Sequence, residues 1–162
     1  MSAPIEPVPA GTRAITLALY WGSLCVGAVL PWVLQISVDV SRRRHTLESF
    51  FDGLYVRLFG PDSGLLFLSL LGLAPFAVYA VFALIHLGTA PRHGALVTRR
   101  RRLALLVAAA AMLGMSIWGH LAILTARGST AGIGFLFLPF YVLIAMLVAY
   151  GLGRWIAGRW IR

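Results

Sequence analysis

The chain has no lysine, no asparagine, a single cysteine and only five acidic residues in 162 positions. Each shortage excludes something. All 14 strong bases are arginines, a bias that points to GC-rich coding DNA and a bacterial source. With one thiol, Cys25, no disulfide can form within the chain, and this residue is expected to be a small packing element. The acids matter most for where they are missing. No Asp, Glu or Lys falls within residues 14–37, 64–87, 103–125 or 131–156.

Those four intervals are apolar runs, and each exceeds the ~20 residues a helix needs to cross the hydrocarbon core. The chain is 60% hydrophobic, with a mean hydropathy of +0.87. A soluble domain of this size needs more polar surface. Tails and loops account for about two fifths of the residues, divided among several segments and too few in any one for a separate soluble domain. The expectation is one all-α membrane domain over 1–162, a four-transmembrane-helix bundle. The first run is too long for a signal-peptide core and has no small-x-small cleavage site after it, so it reads as a retained span.

The net charge of +9 on a soluble chain would suggest nucleic-acid binding. No nucleic-acid motif accompanies it here. Arginine clusters beside spans set orientation and meet anionic head groups instead, which makes Arg99, Arg100, Arg101 and Arg102 topogenic or lipid-head-group residues. Nine arginines (Arg13, Arg92, Arg99–Arg102, Arg154, Arg159, Arg162) share one side of a four-span topology, and five (Arg42, Arg43, Arg44, Arg57, Arg127) the other. By the positive-inside rule both termini are cytoplasmic, in a bacterial inner membrane.

The first loop is patterned. Apolar residues at 47, 50, 51, 54, 55, 58 and 59 follow one helix face. This predicts a short interfacial amphipathic helix over 46–59, between spans one and two. Its face, Leu47, Phe50, Phe51, Leu54 and Leu58, is a candidate docking surface. Small residues at four-residue spacing mark packing ridges: Ala145, Ala149, Gly153 and Ala157 in the fourth run, Ala110 and Gly114 in the third, Ser23 and Gly27 in the first. The third connection is short enough to make spans three and four a tight hairpin.

Chemistry is sparse. His86, His120 and Gln35 are the intramembrane polar suspects. The two histidines lie near opposite ends of their spans, separated in depth by roughly 24 Å, so one haem cannot bridge them, and no cofactor or metal is expected. No carboxylate falls in a run, which argues against coupled transport. Catalytic motifs such as His-Glu-x-x-His or Gly-x-Ser-x-Gly are missing, so no enzyme is expected. What remains is an accessory, assembly or interaction subunit working through helix–helix and interfacial contacts. Its partners would be the bilayer and a membrane protein or a second copy. The alternative is an oligomeric channel or small transporter. The topology is testable by thiol labelling: Val97→Cys should react only from the cytoplasmic side and Gly128→Cys only from outside. Labelling of position 97 from outside alone would reverse it.

Overall fold

The computed structural model describes residues 10–43, 46–52, 65–89, 94–126 and 131–161. Five helices occur among them and no strand: α1 (Ala10–Arg43), α2 (Leu47–Asp52), α3 (Leu65–Gly88), α4 (Ala95–Thr125) and α5 (Ala131–Trp160). All but α2 are long and apolar enough to cross a membrane, and the chain is a multi-pass membrane protein.

Two helices outrun the hydropathy signal. Helix α4 begins at Ala95, so Arg99–Arg102 belong to its first turns and not to a loop. Arginine is a good helix former, and a helix does not stop where its surface turns polar. Gly94, with φ 89°, makes the sharp entry that an L side chain would resist. Helix α1 continues to Arg43, which carries Asp39 inside it.

The expected interfacial helix over 46–59 is not supported. Within that range only the six residues of α2 are helical among those described, and residues 53–64 lie outside them. Of its proposed docking face, Phe51 is exposed. The Leu47 and Phe50 side chains, and Leu54 and Leu58 entirely, fall outside the described set.

The long helices pack chiefly as two antiparallel pairs, α1 with α3 and α4 with α5. Glycine brings each pair together. In the first, a Cβ on Gly27 would lie 2.6 Å from Phe76 Cβ, and one on Gly72 would lie 3.2 Å from Pro31 Cγ. In the second, a Cβ on Gly119 would run into Leu138, one on Gly134 would lie 3.0 Å from Ile123, and one on Gly153 would lie 2.8 Å from Ala104 Cα. From Ala104 through Gly119 to Ile123 the chain climbs α4 while the partner residue descends α5 from Gly153 through Leu138 to Gly134 by equal steps. One register therefore holds along the whole hairpin. Each contact sets a glycine on one helix against a side chain or backbone of the other, the close approach that drives association where lipid is as apolar as leucine.

Between the pairs lies a core of Phe76, Tyr79, Ala83, Leu87, Leu105, Ala108, Met112, Leu138, Val142 and Met146. Tyr79 crosses it, its hydroxyl donating to the Leu105 carbonyl at 3.0 Å. Cys25 is exposed on α1, so it faces outward and is not the packing residue expected of it. Pro75-Phe76 and Pro139-Phe140 look alike in sequence, yet Phe76 is buried and Phe140 is 63% exposed. The likeness carries no structural repeat.

These contacts predict a sharp contrast on one helix. Gly153→Leu has to displace α4 backbone and should cost roughly 1–3 kcal/mol. Gly151→Leu meets nothing within 4 Å and should be near neutral. Thermal unfolding in detergent compares them, and equal stability of the two variants would refute the packing.

Candidate functional site at the two ends of the bundle

At one end, α4 presents arginines where α3 and α5 finish. The last carbonyls of a helix have no partner in their own helix and carry the negative end of its dipole. Arg100 reaches the α5 terminus: its Nε and Nη2 both donate to the Ile161 carbonyl, at 3.0 and 2.7 Å. Arg101 reaches α3: its Nη1 donates to the His86 carbonyl at 3.1 Å and to Thr89 Oγ1 at 3.0 Å. Cations in the first turns of α4 oppose its own dipole. The neighbouring antiparallel ends offset that, and each guanidinium fork suits a carbonyl. Arg99 is exposed and Arg102 half-buried.

His86 sits beside this belt. Its Nδ1 pairs with the Phe82 carbonyl at 3.0 Å. Its ring packs against Phe82 and Tyr150, with centroids 4.0 and 5.2 Å away. Tyr150 Oη is buried with no hydrogen-bond partner among the described residues. Nearby on α5, the Arg159 guanidinium lies 4.2 Å over the Trp155 ring, an amphipathic pair suited to a membrane interface.

Toward the other end, His120 is 4% exposed. Its Nδ1 is 2.8 Å from the Ser116 carbonyl of its own helix. A carbonyl only accepts, so Nδ1 carries the proton and Nε2 of the neutral ring is an acceptor. A Cβ on Gly72 would stand 3.7 Å from that Nε2, which leaves the nitrogen facing α3. The ring also meets Phe135 edge to face, with centroids 5.8 Å apart.

His120, Ser116, Gly72, Pro75, Phe135 and Pro139 surround a cavity of about 10 Å³, at the lower limit for a single water. Prolines from three helices gather here, because Pro31 packs on Gly72. A proline cannot donate to the carbonyl four residues earlier, so Pro139 withholds the helical bond from the carbonyl of Phe135, a residue of the cavity lining. A buried imidazole acceptor, a serine hydroxyl and a freed carbonyl can together hold one water or relay one proton.

Asp39 corrects a further expectation. It is fully buried inside a spanning helix, where no carboxylate was expected, and Gln35 Nε2 donates to its Oδ2 at 3.4 Å. It lies just past the apolar run, and only the continuation of α1 brings it inside. About 28 Å of helix rise separates Arg101, on the His86 carbonyl, from His120. The two histidines are not brought together. Among the described residues no three metal-ligating side chains cluster.

On the α5 ridge, Ala149, Gly153 and Ala157 are buried and Ala145 is half-buried, with Gly153 against α4. Ser23 and Gly27 are buried on α1. Ala110 and Gly114, at the same spacing, are exposed. Helix capping by Arg100 and Arg101 escaped the sequence reading, although four arginines abutting an apolar run with helix ends on the same side was a usable signal.

No protein family, curated protein or solved structure matches the chain.

If the arginine belt closes the bundle, Arg101→Ala should lower stability by roughly 1.5–3 kcal/mol, the worth of a charged hydrogen bond. The exposed Arg99→Ala should be near neutral. Chemical unfolding in micelles distinguishes them, and equal losses would rule out a specific role for Arg101.

Proposed function

We propose that this chain is a non-catalytic accessory or assembly subunit of a bacterial cytoplasmic-membrane complex, with both termini in the cytoplasm, acting through lateral contacts between helices. The face of α4 that carries Ala110 and Gly114 supports this reading most. Both residues are exposed, and nothing lies within 4 Å of a Cβ built on Gly114. Leu106 flanks this small floor toward the arginine end and Trp118, 66% exposed, toward the other. The result is a shallow groove with small residues in its floor and large ones at its rim. A helix from a membrane-protein partner, or from a second copy, could approach there as closely as α4 and α5 approach each other. Gly27, Gly72, Gly119, Gly134 and Gly153 are taken up in contacts inside the bundle, whereas Gly22 and Gly151 are open like Gly114.

The alternative, an oligomeric channel or small transporter, draws support from the polar cavity at His120. Conductance or solute uptake by the purified protein in vesicles, lost in His120→Leu, would favour it.

A photo-crosslinking residue at position 114, placed in native membranes, should give a defined adduct, whereas one at position 151 should not. Gly114→Leu should abolish association while leaving the melting temperature unchanged. Equal crosslinking from both positions, or none from position 114, would defeat the subunit reading.

A further inference from the structure

Helix α5 runs from Ala131 through Gly153 without a charged residue. That is a rise of about 33 Å, close to the ~30 Å thickness of the hydrocarbon core. Arg154 and Arg159 follow, so they stand at head-group level, and both are exposed. Two glycines shape the surface between them. Gly151 and Gly158 lie two turns apart on one stripe of the helix, and a Cβ on either would meet nothing within 4 Å. At 3.6 residues per turn, Arg154 borders that stripe on one side and Trp155 with Arg159 on the other. The result is a shallow notch with bare backbone in its floor and a cation on each wall. Toward the membrane centre the same stripe carries Leu147, Ile144 and Phe140, all exposed.

The charge on the walls identifies the occupant. Trp155 holds the Arg159 guanidinium 4.2 Å over its ring. That contact takes up the face of the guanidinium and leaves its in-plane N–H donors for an anion. The anion does not come from the bundle. No acidic residue follows Asp62, so α3, α4 and α5 hold no carboxylate. The Ile161 carbonyl at the end of α5 already accepts from Arg100. Two cations at head-group level above an apolar strip match a negatively charged head group that carries an acyl chain.

We propose that the exposed face of α5 binds an anionic phospholipid from the leaflet at the arginine end, its phosphate between Arg154 and Arg159 over Gly158 and one acyl chain lying along Gly151, Leu147 and Ile144. The site is distinct from the Ala110–Gly114 face of α4 and does not depend on the subunit reading. A phospholipid over Gly151 gives a crosslinker at that position no protein to join, so the two proposals are tested independently.

Native mass spectrometry of protein taken from phosphatidylcholine vesicles doped with phosphatidylglycerol tests this. The wild type should retain phosphatidylglycerol in preference to phosphatidylcholine. Arg154→Gln and Arg159→Gln should each cut that retention about fivefold, what one near-surface arginine is worth, and the double variant should erase the preference. Gly158→Leu keeps both charges and fills the floor of the notch. It should cut retention severalfold with the melting temperature unchanged, because its side chain enters open space. Arg13→Gln removes the same charge from exposed surface of α1 at the same end of the bundle and should change nothing. Equal retention of both lipids by the wild type would overturn the proposal, as would full retention in the double variant or in Gly158→Leu. An equal loss in Arg13→Gln would reduce the effect to bulk charge and overturn it too. Inorganic phosphate that binds the wild type and not the double variant, without any preference between the lipids, would assign a free-anion site and overturn it as well.

Discussion

Close approach of helix backbones at glycine is the constraint on which the rest of this bundle depends. In a bilayer, burying a leucine gains little, because the lipid is as apolar as the protein core. Helices hold together where they come near enough for dense van der Waals contact. Here that happens along one register in α4–α5, from Gly153 on Ala104 to Gly134 on Ile123, and reciprocally in α1–α3, where Gly27 meets Phe76 and Gly72 meets Pro31. The two pairs are then joined more loosely, through the Phe76–Met112–Met146 core and the Tyr79 hydrogen bond.

The second demand of the membrane is that backbone polar groups be satisfied. Helix ends and proline kinks are where this is hardest, and both are where the chain places its polar side chains. At the ends of α3 and α5, arginines from α4 supply the missing donors. Pro139 and Pro75 line the same cavity as Ser116 and His120. Arg100, Arg101, Ser116 and His120 thus sit near points where the helical ladder is interrupted. That gives them a structural reason to exist.

Much of this architecture was legible in the chain, because length and hydropathy are direct readouts of what a membrane requires. The four long helices follow from the four apolar runs. Their true ends did not follow, since hydropathy reports surface polarity and not where hydrogen bonding stops. Asp39 and Arg99–Arg102 were placed in loops for that reason. Ridge spacing found small faces but could not say what covers them: Gly153 lies on α4 backbone and Gly114 on open surface, though the two sequences look alike. Cys25 misled in the same way, because a small residue in a span fits either side. The arginine caps depend on which helix ends share a level with α4, a property of the assembled bundle that no local pattern contains.

The close α4–α5 approach can be measured directly by disulfide trapping. A Cβ on Gly153 would lie 3.4 Å from Ala104 Cβ, close to the roughly 3.5–4.5 Å separation that a disulfide requires. With Cys25 replaced by serine, the Ala104→Cys/Gly153→Cys protein should oxidise rapidly to an intramolecular crosslink in membranes, while Ala104→Cys/Gly151→Cys should not. Failure of the first pair to crosslink, or crosslinking of the second at the same rate, would contradict the register on which this account of the bundle rests.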